Sequence, residues 1–184
     1  LIPIIDKKQK IKSIIINNRN IKNKIEDDVT AIIMAGGFGK RLLPLTVNKP
    51  KPLIKINNKP LIEYAFQNLI KFNIKNISIS IYYKSKQIKN YFKSKKFNQN
   101  INFIEEKKPL GTAGCLSLLN FAELNNNILV HNSDIITDLN IKNLLKFHAD
   151  FNSEITVCAK EYSNTSPFGE IHHKGHKVKK IIEK

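Results

Sequence analysis

Residues 30 to 46 read Thr30-Ala-Ile-Ile-Met-Ala-Gly-Gly-Phe-Gly-Lys-Arg-Leu-Leu-Pro-Leu-Thr46, and after two residues the chain continues as Lys49-Pro-Lys-Pro-Leu-Ile54. The segment from Thr30 to Met34 is almost entirely apolar, which is typical of a central parallel strand. Glycines, two cations and lysine-flanked prolines follow it. Phosphate oxygens need close N–H donors and a neutralising field, and side-chain-free backbone beside positive charge supplies both. The sequence therefore predicts a phosphate-binding loop directly after a buried strand.

The distribution of glycine supports this interpretation. The chain has only 7 glycines, of which Gly36, Gly37 and Gly39 lie in this loop and two more lie in Leu110-Gly-Thr-Ala-Gly114. A plain turn needs one glycine and does not account for the adjoining cations. The spacing is neither Gly-x-Gly-x-x-Gly nor that of a P-loop, which disfavours dinucleotide binding and Walker-type hydrolysis.

Three charged residues are candidates for catalysis. Arg41 follows the glycines and suits bidentate contact with phosphate. Lys51 lies between two prolines whose φ angles are fixed, and we expect it to contact phosphate as well. Asp134 directly follows an apolar run and is a candidate Mg²⁺ ligand, because Mg²⁺ takes one or two carboxylates and completes its shell with phosphate oxygens and water. The alternative role for such a residue is a helix cap, which suits Asp138 better.

A second group of residues suggests how a base is bound. Glu105 and Glu106 are adjacent in a predicted strand and point to opposite faces, so they are not a catalytic carboxylate pair. Glu106 can accept two N–H bonds from the Watson–Crick edge of guanine, and Gly111 lets a flat base lie against the backbone. His172 and His176 are four residues apart around a glycine, and we interpret them as a solvated hairpin turn rather than a metal site.

Apolar runs and amphipathic segments alternate along the chain. Residues 1–16 resemble a short hairpin and residues 17–28 a polar linker. Beyond them we predict strands at 30–34, 76–82, 101–104, 127–131 and 154–159, helices at 61–72, 85–92, 112–120 and 141–149, and a hairpin at 168–172 with 177–182. Repeated βα units predict an α/β fold, a Rossmann-like three-layer sandwich with a mostly parallel sheet. The loops after Met34, Glu105 and His131 should open at one edge, where such sheets bind ligands.

Composition narrows the function classes. A chain of 184 residues is sufficient for one ordinary domain, and it shows no apolar run long enough to cross a bilayer and no signal-peptide pattern. The net charge of +16 comes from lysines spread along the whole chain with few interleaved aromatics, which disfavours a dedicated nucleic-acid role. Two distant cysteines, Cys115 and Cys158, predict a reducing compartment, the cytoplasm.

Taken together, the motifs resemble the sugar-1-phosphate nucleotidyltransferase family. The resemblance runs in the family's order from Val29 to the end of the chain and rests on the segments 34–42, 49–53, 59–63, 110–114, 132–134, 167–169 and 183–184. The Leu-Gly-Thr-Ala-Gly and Asn-Ser-Asp forms resemble the mannose-1-phosphate guanylyltransferase branch. Similar sequences carry two CBS modules, and residues 1–16 look like the tail of the second, which leaves 29–184 as the transferase domain.

This resemblance implies a reaction and roles for the site residues. A sugar 1-phosphate, of mannose or glucosamine, would attack the α-phosphorus of an NTP, which is GTP in the branch that this chain resembles, and release pyrophosphate. The nucleotide-binding residues would be Ala35, Gly36, Gly37, Gly39, Arg41, Glu106 and Gly111, those for the sugar phosphate Gly169, Glu183 and Lys184, and those for catalysis Arg41, Lys51 and Asp134, the last holding Mg²⁺. The resemblance is compatible with a homo-oligomer.

The resemblance also implies a second aspartate ligand beyond Lys184, so we expect this chain to be truncated at its C-terminus and weakly active or inactive alone. Two alternatives stay open at this point. One is a thymidylyl-, uridylyl- or cytidylyltransferase of the same family, because the base assignment depends on little more than Glu106 and Gly111. The other is a non-catalytic nucleotide-sensing module, although the presence of Arg41, Lys51 and Asp134 argues against a degenerate site.

Overall fold

The computed structural model describes residues 2–5, 11–15, 29–95, 97, 99–120, 127–163 and 168–183. The strands are β1 (Ile2–Ile5), β2 (Ile11–Ile15), β3 (Val29–Met34), β4 (Lys55–Ile56), β5 (Lys59–Pro60), β6 (Asn76–Ile81), β7 (Ile101–Glu105), β8 (Asn127–Asn132), β9 (Glu170–Lys174) and β10 (Lys177–Ile182). The α-helices are α1 (Leu61–Lys71), α2 (Ser85–Ser94) and α3 (Ile141–Asp150). The chain divides into two units, Leu1–Ser153 and Glu154–Lys184. In the described part, no helix has the length and apolar character needed to cross a membrane.

The central sheet has four parallel strands in the order β7-β6-β3-β8. From β3 the chain proceeds outward through β6 to β7, and then returns to the other side of β3 to form β8. The strand order therefore reverses between β3 and β8. In open α/β sheets this reversal creates a crevice beyond the carboxyl ends of the two strands, which is where ligands bind.

The sheet is covered on both faces. Ala31 and Ile33 of β3 belong to one apolar core with Phe66 of α1 and Phe92 of α2. Met34 points to the opposite face, where its sulfur lies 3.2 Å from the Sγ atom of Cys115. Because β3 is buried on both sides, its sequence is apolar at every position except Thr30 rather than alternating. The predicted α/β class with a mostly parallel sheet is confirmed.

Two of the predicted elements are wrong. The expected helix at 112–120 is a short 3₁₀ segment, Gly114–Leu118, because Ala113 has a left-handed φ of 59° and interrupts any α-helix. The expected strand at 154–159 is irregular, and Ile155 and Val157 are 82% and 81% exposed. The Glu-Ile-Thr-Val alternation favours a strand, but a strand also needs a neighbouring strand, and no strand in the described part of the chain forms a ladder with this segment.

Both predicted hairpins are present. Strands β1 and β2 pair antiparallel, and β9 pairs antiparallel with β10 across a turn in which Gly175 has a φ of +60°. The second hairpin lies in the unit Glu154–Lys184. The assignment of residues 1–16 to a CBS module stays a prediction, and the linker assigned to 17–28 lies outside the described residues.

Helices α1 and α2 are joined by a buried polar contact. The Glu63 carboxylate accepts hydrogen bonds from the Tyr91 hydroxyl and, at 2.9 Å, from the Gln67 amide, and Lys95 lies 3.5 Å away. Burial and, secondarily, the neighbouring Glu63 raise the pKa of the Tyr91 phenol well above its usual value. The neutral phenol therefore acts as a donor that satisfies a buried carboxylate.

We expect Tyr91→Phe to lower the free energy of unfolding by about 1–3 kcal/mol at pH 7, because Glu63 loses a donor while remaining buried. The raised pKa makes this contribution complete below about pH 10, the unfolded value, and lost as the pH rises further. Urea denaturation of both proteins at pH 7 and above pH 10 should show a difference that shrinks at the higher pH. Equal stability at pH 7 would contradict the prediction.

Candidate functional site

A cavity of about 550 Å³ opens at the carboxyl ends of β3 and β8, where the strand order reverses. It is lined by Met34, Gly36, Gly37, Phe38, Gly39, Lys40, Arg41, Leu42, Lys51, Pro52, Glu106, Pro109, Leu110, Gly111, Thr112, Asn132, Ser133 and Asp134. These residues come from the loops after β3, β7 and β8 and from the 3₁₀ segment at Lys51–Leu53. The predicted meeting of three loops at one edge of the sheet is confirmed.

The glycine loop presents free backbone donors to this cavity. Within the part of the chain that the structure describes, no backbone carbonyl accepts a hydrogen bond from the amides of 36–39. The loop is held instead through its carbonyls: Thr46 Oγ1 donates to the Gly39 oxygen at 3.0 Å, and the Tyr83 amide donates to the Gly36 oxygen at 3.4 Å. This arrangement leaves N–H groups available for an anion.

Aromatic side chains fix one side of the same loop. The ring of Phe38 packs on Tyr82 and Tyr83, with centroids 5.6 and 5.4 Å apart, directly after the end of β6. Such edge-on and tilted pairs stabilise by about 0.5–1.5 kcal/mol beyond the area they bury. Phe38 therefore holds the glycine-rich segment in place by packing its ring on Tyr82 and Tyr83.

The structure brings two of the three predicted catalytic residues into contact. The Lys51 ammonium forms an ion pair and hydrogen bond with Asp134 Oδ2, and each side chain is about one-third exposed. Arg41 lies on the exposed 3₁₀ segment Lys40–Leu42 at the cavity wall. Among the described residues it has no acidic partner, so its guanidinium is free to bind an anionic group.

Glu106 lines the cavity, and its carboxylate also has hydrogen-bond donors within the protein. Its side chain is 8% exposed, and its two oxygens accept hydrogen bonds from the Ser80 hydroxyl and, at 3.0 Å, from the Leu110 amide. A β-carbon added at Gly36 would lie 3.0 Å from Glu106 Oε1. The carboxylate thus ties the loop that carries Gly111 to β6, and contact with a base stays a prediction.

The other predicted nucleotide contacts differ in exposure. Gly111 lines the cavity with a φ of +76° and open space beside it, as a surface for a flat base requires. Ala35 is 2% exposed, its amide donates to the Ser80 carbonyl at 2.8 Å, and it does not line the cavity. Its amide therefore lacks the freedom that the neighbouring glycine amides have.

The predicted sugar-binding residues lie in the second unit. A β-carbon added at Gly169 would lie 3.1 Å from the Ile182 carbonyl oxygen and 3.9 Å from the Cα atom of Glu183, so Gly169 and Glu183 are neighbours at the open end of the β9–β10 hairpin. Their role stays a prediction. Lys184 lies outside the described residues.

The donor set suits a hard divalent cation such as Mg²⁺. The described residues contain no group of three or more histidine, cysteine, aspartate or glutamate side chains that could hold a metal. Asp134 offers a single carboxylate at the cavity wall. A lone carboxylate fits Mg²⁺, which keeps several waters and binds phosphate oxygens, and does not fit a closed zinc site.

Two residues of structural importance to the site were missed from the sequence. Ser80 donates to Glu106, and Thr46, which is 1% exposed, donates to Gly39. The alternation of isoleucine and serine in Asn76–Ile81 carries a signal for the first, because it places the serines on the face opposite the main core. Thr46 carries no such signal, since its partner depends on how the loop folds back.

Residues 30–184 match the nucleotidyl transferase family. Among curated proteins, the chain is 35% identical over 159 residues to a mannose-1-phosphate guanyltransferase of Yarrowia lipolytica, covering 83% of this chain and 44% of that protein. It is 33% identical to the catalytic subunit beta of mannose-1-phosphate guanylyltransferase of Drosophila melanogaster, covering 84% of this chain and 43% of that protein. The chain therefore spans less than half the length of these relatives.

Solved structures show the same fold. HddC from Yersinia pseudotuberculosis in complex with GMP-PN matches with a TM-score of 0.60 and 26% identity, over 84% of this chain and 69% of that one. A putative glucose-1-phosphate thymidylyltransferase from Bacillus anthracis matches with a TM-score of 0.59 and 24% identity, over 84% of this chain and 64% of that one.

Proposed function

Because this chain belongs to the nucleotidyl transferase family, we propose that it is the nucleotide-binding part of an enzyme that transfers a guanylyl group from GTP to a sugar 1-phosphate, releasing pyrophosphate. One observation carries the proposal above the others. In the described part of the chain no backbone carbonyl accepts a hydrogen bond from the amides of 36–39, and these residues line a cavity that also holds Arg41, Lys51 and Asp134. Backbone donors, two cations and one carboxylate are the components that a metal-bound triphosphate requires.

The proposed role of each site residue follows from its charge. The glycine amides and Arg41 bind the triphosphate, and Lys51 offsets the negative charge that develops as the α-phosphorus is attacked by the sugar phosphate oxygen. Asp134 would hold Mg²⁺, which supplies charge neutralisation to the phosphate oxygens when bound. Since the attacking group is already an anion, the protein needs no nucleophile of its own, and positioning carries much of the catalysis.

The preference for guanine is supported by the curated relatives rather than by Glu106. The relatives that are 33–35% identical are mannose-1-phosphate guanylyltransferases, and the thymidylyltransferase likeness at 24% identity speaks only for the fold. Mannose 1-phosphate is the favoured acceptor for the same reason, with glucosamine 1-phosphate as the second candidate. Both described cysteines are unpaired, which is compatible with the cytoplasm as the proposed location.

A substrate screen tests the reaction. Pyrophosphate release is measured for a protein that extends to the length of the relatives, with GTP, UTP, dTTP and CTP, each paired with mannose, glucose and glucosamine 1-phosphate. We expect the highest rate with GTP and mannose 1-phosphate. A preference for UTP or dTTP would overturn the base assignment. Saturable GTP binding without pyrophosphate release under any pairing, in a protein that extends to the length of its relatives, would favour a nucleotide-sensing module instead.

Gly37→Ala tests the phosphate-binding loop directly. A β-carbon at Gly37 meets no atom within 4 Å and its φ is not left-handed, so we expect the variant to fold with unchanged thermal stability. A phosphate held against the loop would meet the added methyl group, which should weaken Mg²⁺–GTP binding by about ten- to a hundredfold, or roughly 1.4–2.8 kcal/mol. Calorimetric titration measures the affinity. Unchanged binding in the folded variant would mean that the triphosphate does not lie against this loop.

A further inference from the structure

The Lys51–Asp134 ion pair lies in the wall of the cavity. The two residues are 83 positions apart, and they meet only because the 3₁₀ segment after the glycine loop lies beside the turn after β8. The proposed function gives each charge a different partner: phosphate oxygens for Lys51 and a divalent cation for Asp134. In the free protein the two charges neutralise each other, so both ligands compete with a contact that already exists.

We propose that this pair makes the site selective for the metal–triphosphate complex over either component alone, a property that rests on the proposed function. A free cation has to displace Lys51 from Asp134, and a metal-free triphosphate has to draw Lys51 away and leave Asp134 facing an anion. The complex breaks the pair once and gives both charges a partner of opposite sign. The binding of cation and triphosphate is therefore positively coupled through these two side chains.

The expected size of the coupling follows from the exposure of the pair. Each side chain is about one-third exposed. Ion pairs of this kind stabilise by about 0.2–1 kcal/mol, which sets a ceiling of about fivefold on the change in affinity. The Lys89–Glu105 pair offers a matched control, since it is another exposed lysine–carboxylate contact in the same unit, and its residues do not line the cavity.

The first test measures Mn²⁺ binding without nucleotide, by the electron paramagnetic resonance signal of the free ion. We expect Lys51→Met to bind Mn²⁺ about three- to fivefold more tightly than the original protein, because Asp134 is released. Lys89→Met, which removes the same charge and also releases a carboxylate, should not differ from the original protein. When Asp134→Asn is added to Lys51→Met, the tighter Mn²⁺ binding should be lost. Equal affinities in the two lysine variants would overturn the proposal.

A double-mutant cycle decides the question even where Mn²⁺ alone binds too weakly to measure. Binding of metal-free GTP in EDTA is compared for the original protein, Asp134→Asn, Lys51→Met and the double variant. We expect Asp134→Asn to increase GTP affinity more when Lys51 is present than when it is absent, by up to about fivefold. The same ratio in both backgrounds would mean that the two residues act independently, which overturns the coupling.

The two proposals fail in different ways. If Mg²⁺–GTP binds the original protein and the cycle shows no coupling, only the ion-pair mechanism is wrong. If Mg²⁺–GTP shows no saturable binding, the proposed function fails, and the selectivity of the pair fails with it.

Discussion

Replacing Gly39 by alanine is expected to lower the free energy of unfolding by about 2–4 kcal/mol, from backbone strain and crowding together, and to abolish measurable Mg²⁺–GTP binding. Gly39 has a left-handed φ of +67°, which costs a residue with a β-carbon free energy. The added carbon would also lie 2.8 Å from Thr46 Cγ2 and 3.0 Å from Lys51 Cβ. Either the loop has to move or Thr46 and Lys51 have to move, and in both cases the position of Lys51 relative to the glycine amides changes.

Alanine substitutions at two further glycines separate the contribution of backbone strain from that of crowding. Gly175→Ala has a similar φ of +60° but nothing within 4 Å, so its cost should reflect backbone strain alone. Gly37→Ala has neither strain nor crowding in the free protein. Urea denaturation should therefore rank the three variants with Gly39→Ala the least stable and Gly37→Ala unchanged. A Gly39→Ala protein as stable as Gly175→Ala would show that Thr46 and Lys51 yield without cost.

The features that the sequence predicted correctly share a local cause. Val29–Met34 is apolar at every position except Thr30 because it is buried on both faces, and the glycines directly after it lie in a loop whose amides have no backbone acceptor among the described residues. The loops after β3, β7 and β8 share one edge as a consequence of parallel connections, which are nearly always right-handed. Alternation and spacing over a few residues are thus enough to place Gly37, Arg41 and Asp134 around one cavity.

The features that were missed depend on contacts between distant parts of the chain. The separate roles expected for Lys51 and Asp134 follow from their own segments, but their pairing depends on the packing of two loops. The contact of Glu106 with a base stays a prediction, and only the fold shows that its oxygens also accept hydrogen bonds from the Ser80 hydroxyl and the Leu110 amide. Residues 154–159 have strand-forming composition, yet a strand exists only where a neighbouring strand provides the ladder.

The largest effect on the reaction is expected from Lys51→Ala. In a protein that extends to the length of the relatives, we expect kcat for pyrophosphate release to fall by about 10²–10³, since removing one preorganised donor to a developing anion has this effect in related acyl transfers. Lys51 begins the 3₁₀ segment Lys51–Leu53 and lies between two buried prolines, Pro50 and Pro52, so its ammonium extends from a conformationally restricted backbone to the cavity. The fall should appear in kcat more than in KM, because the charge that Lys51 offsets grows as the bond to the α-phosphorus forms.

Lys49→Ala is the matched control for this loss, because Lys49 is exposed, carries the same charge two residues away and does not line the cavity. If the net charge of +16 assists only by attracting anionic substrates, both variants should lose the same small factor in kcat/KM, and added salt should remove the difference from the original protein. If Lys51 acts at the reacting phosphate, its deficit should persist at high salt while Lys49→Ala matches the original protein. Equal kcat values for the two variants would exclude a catalytic role for Lys51 and reduce it to the partner of Asp134 in the free protein.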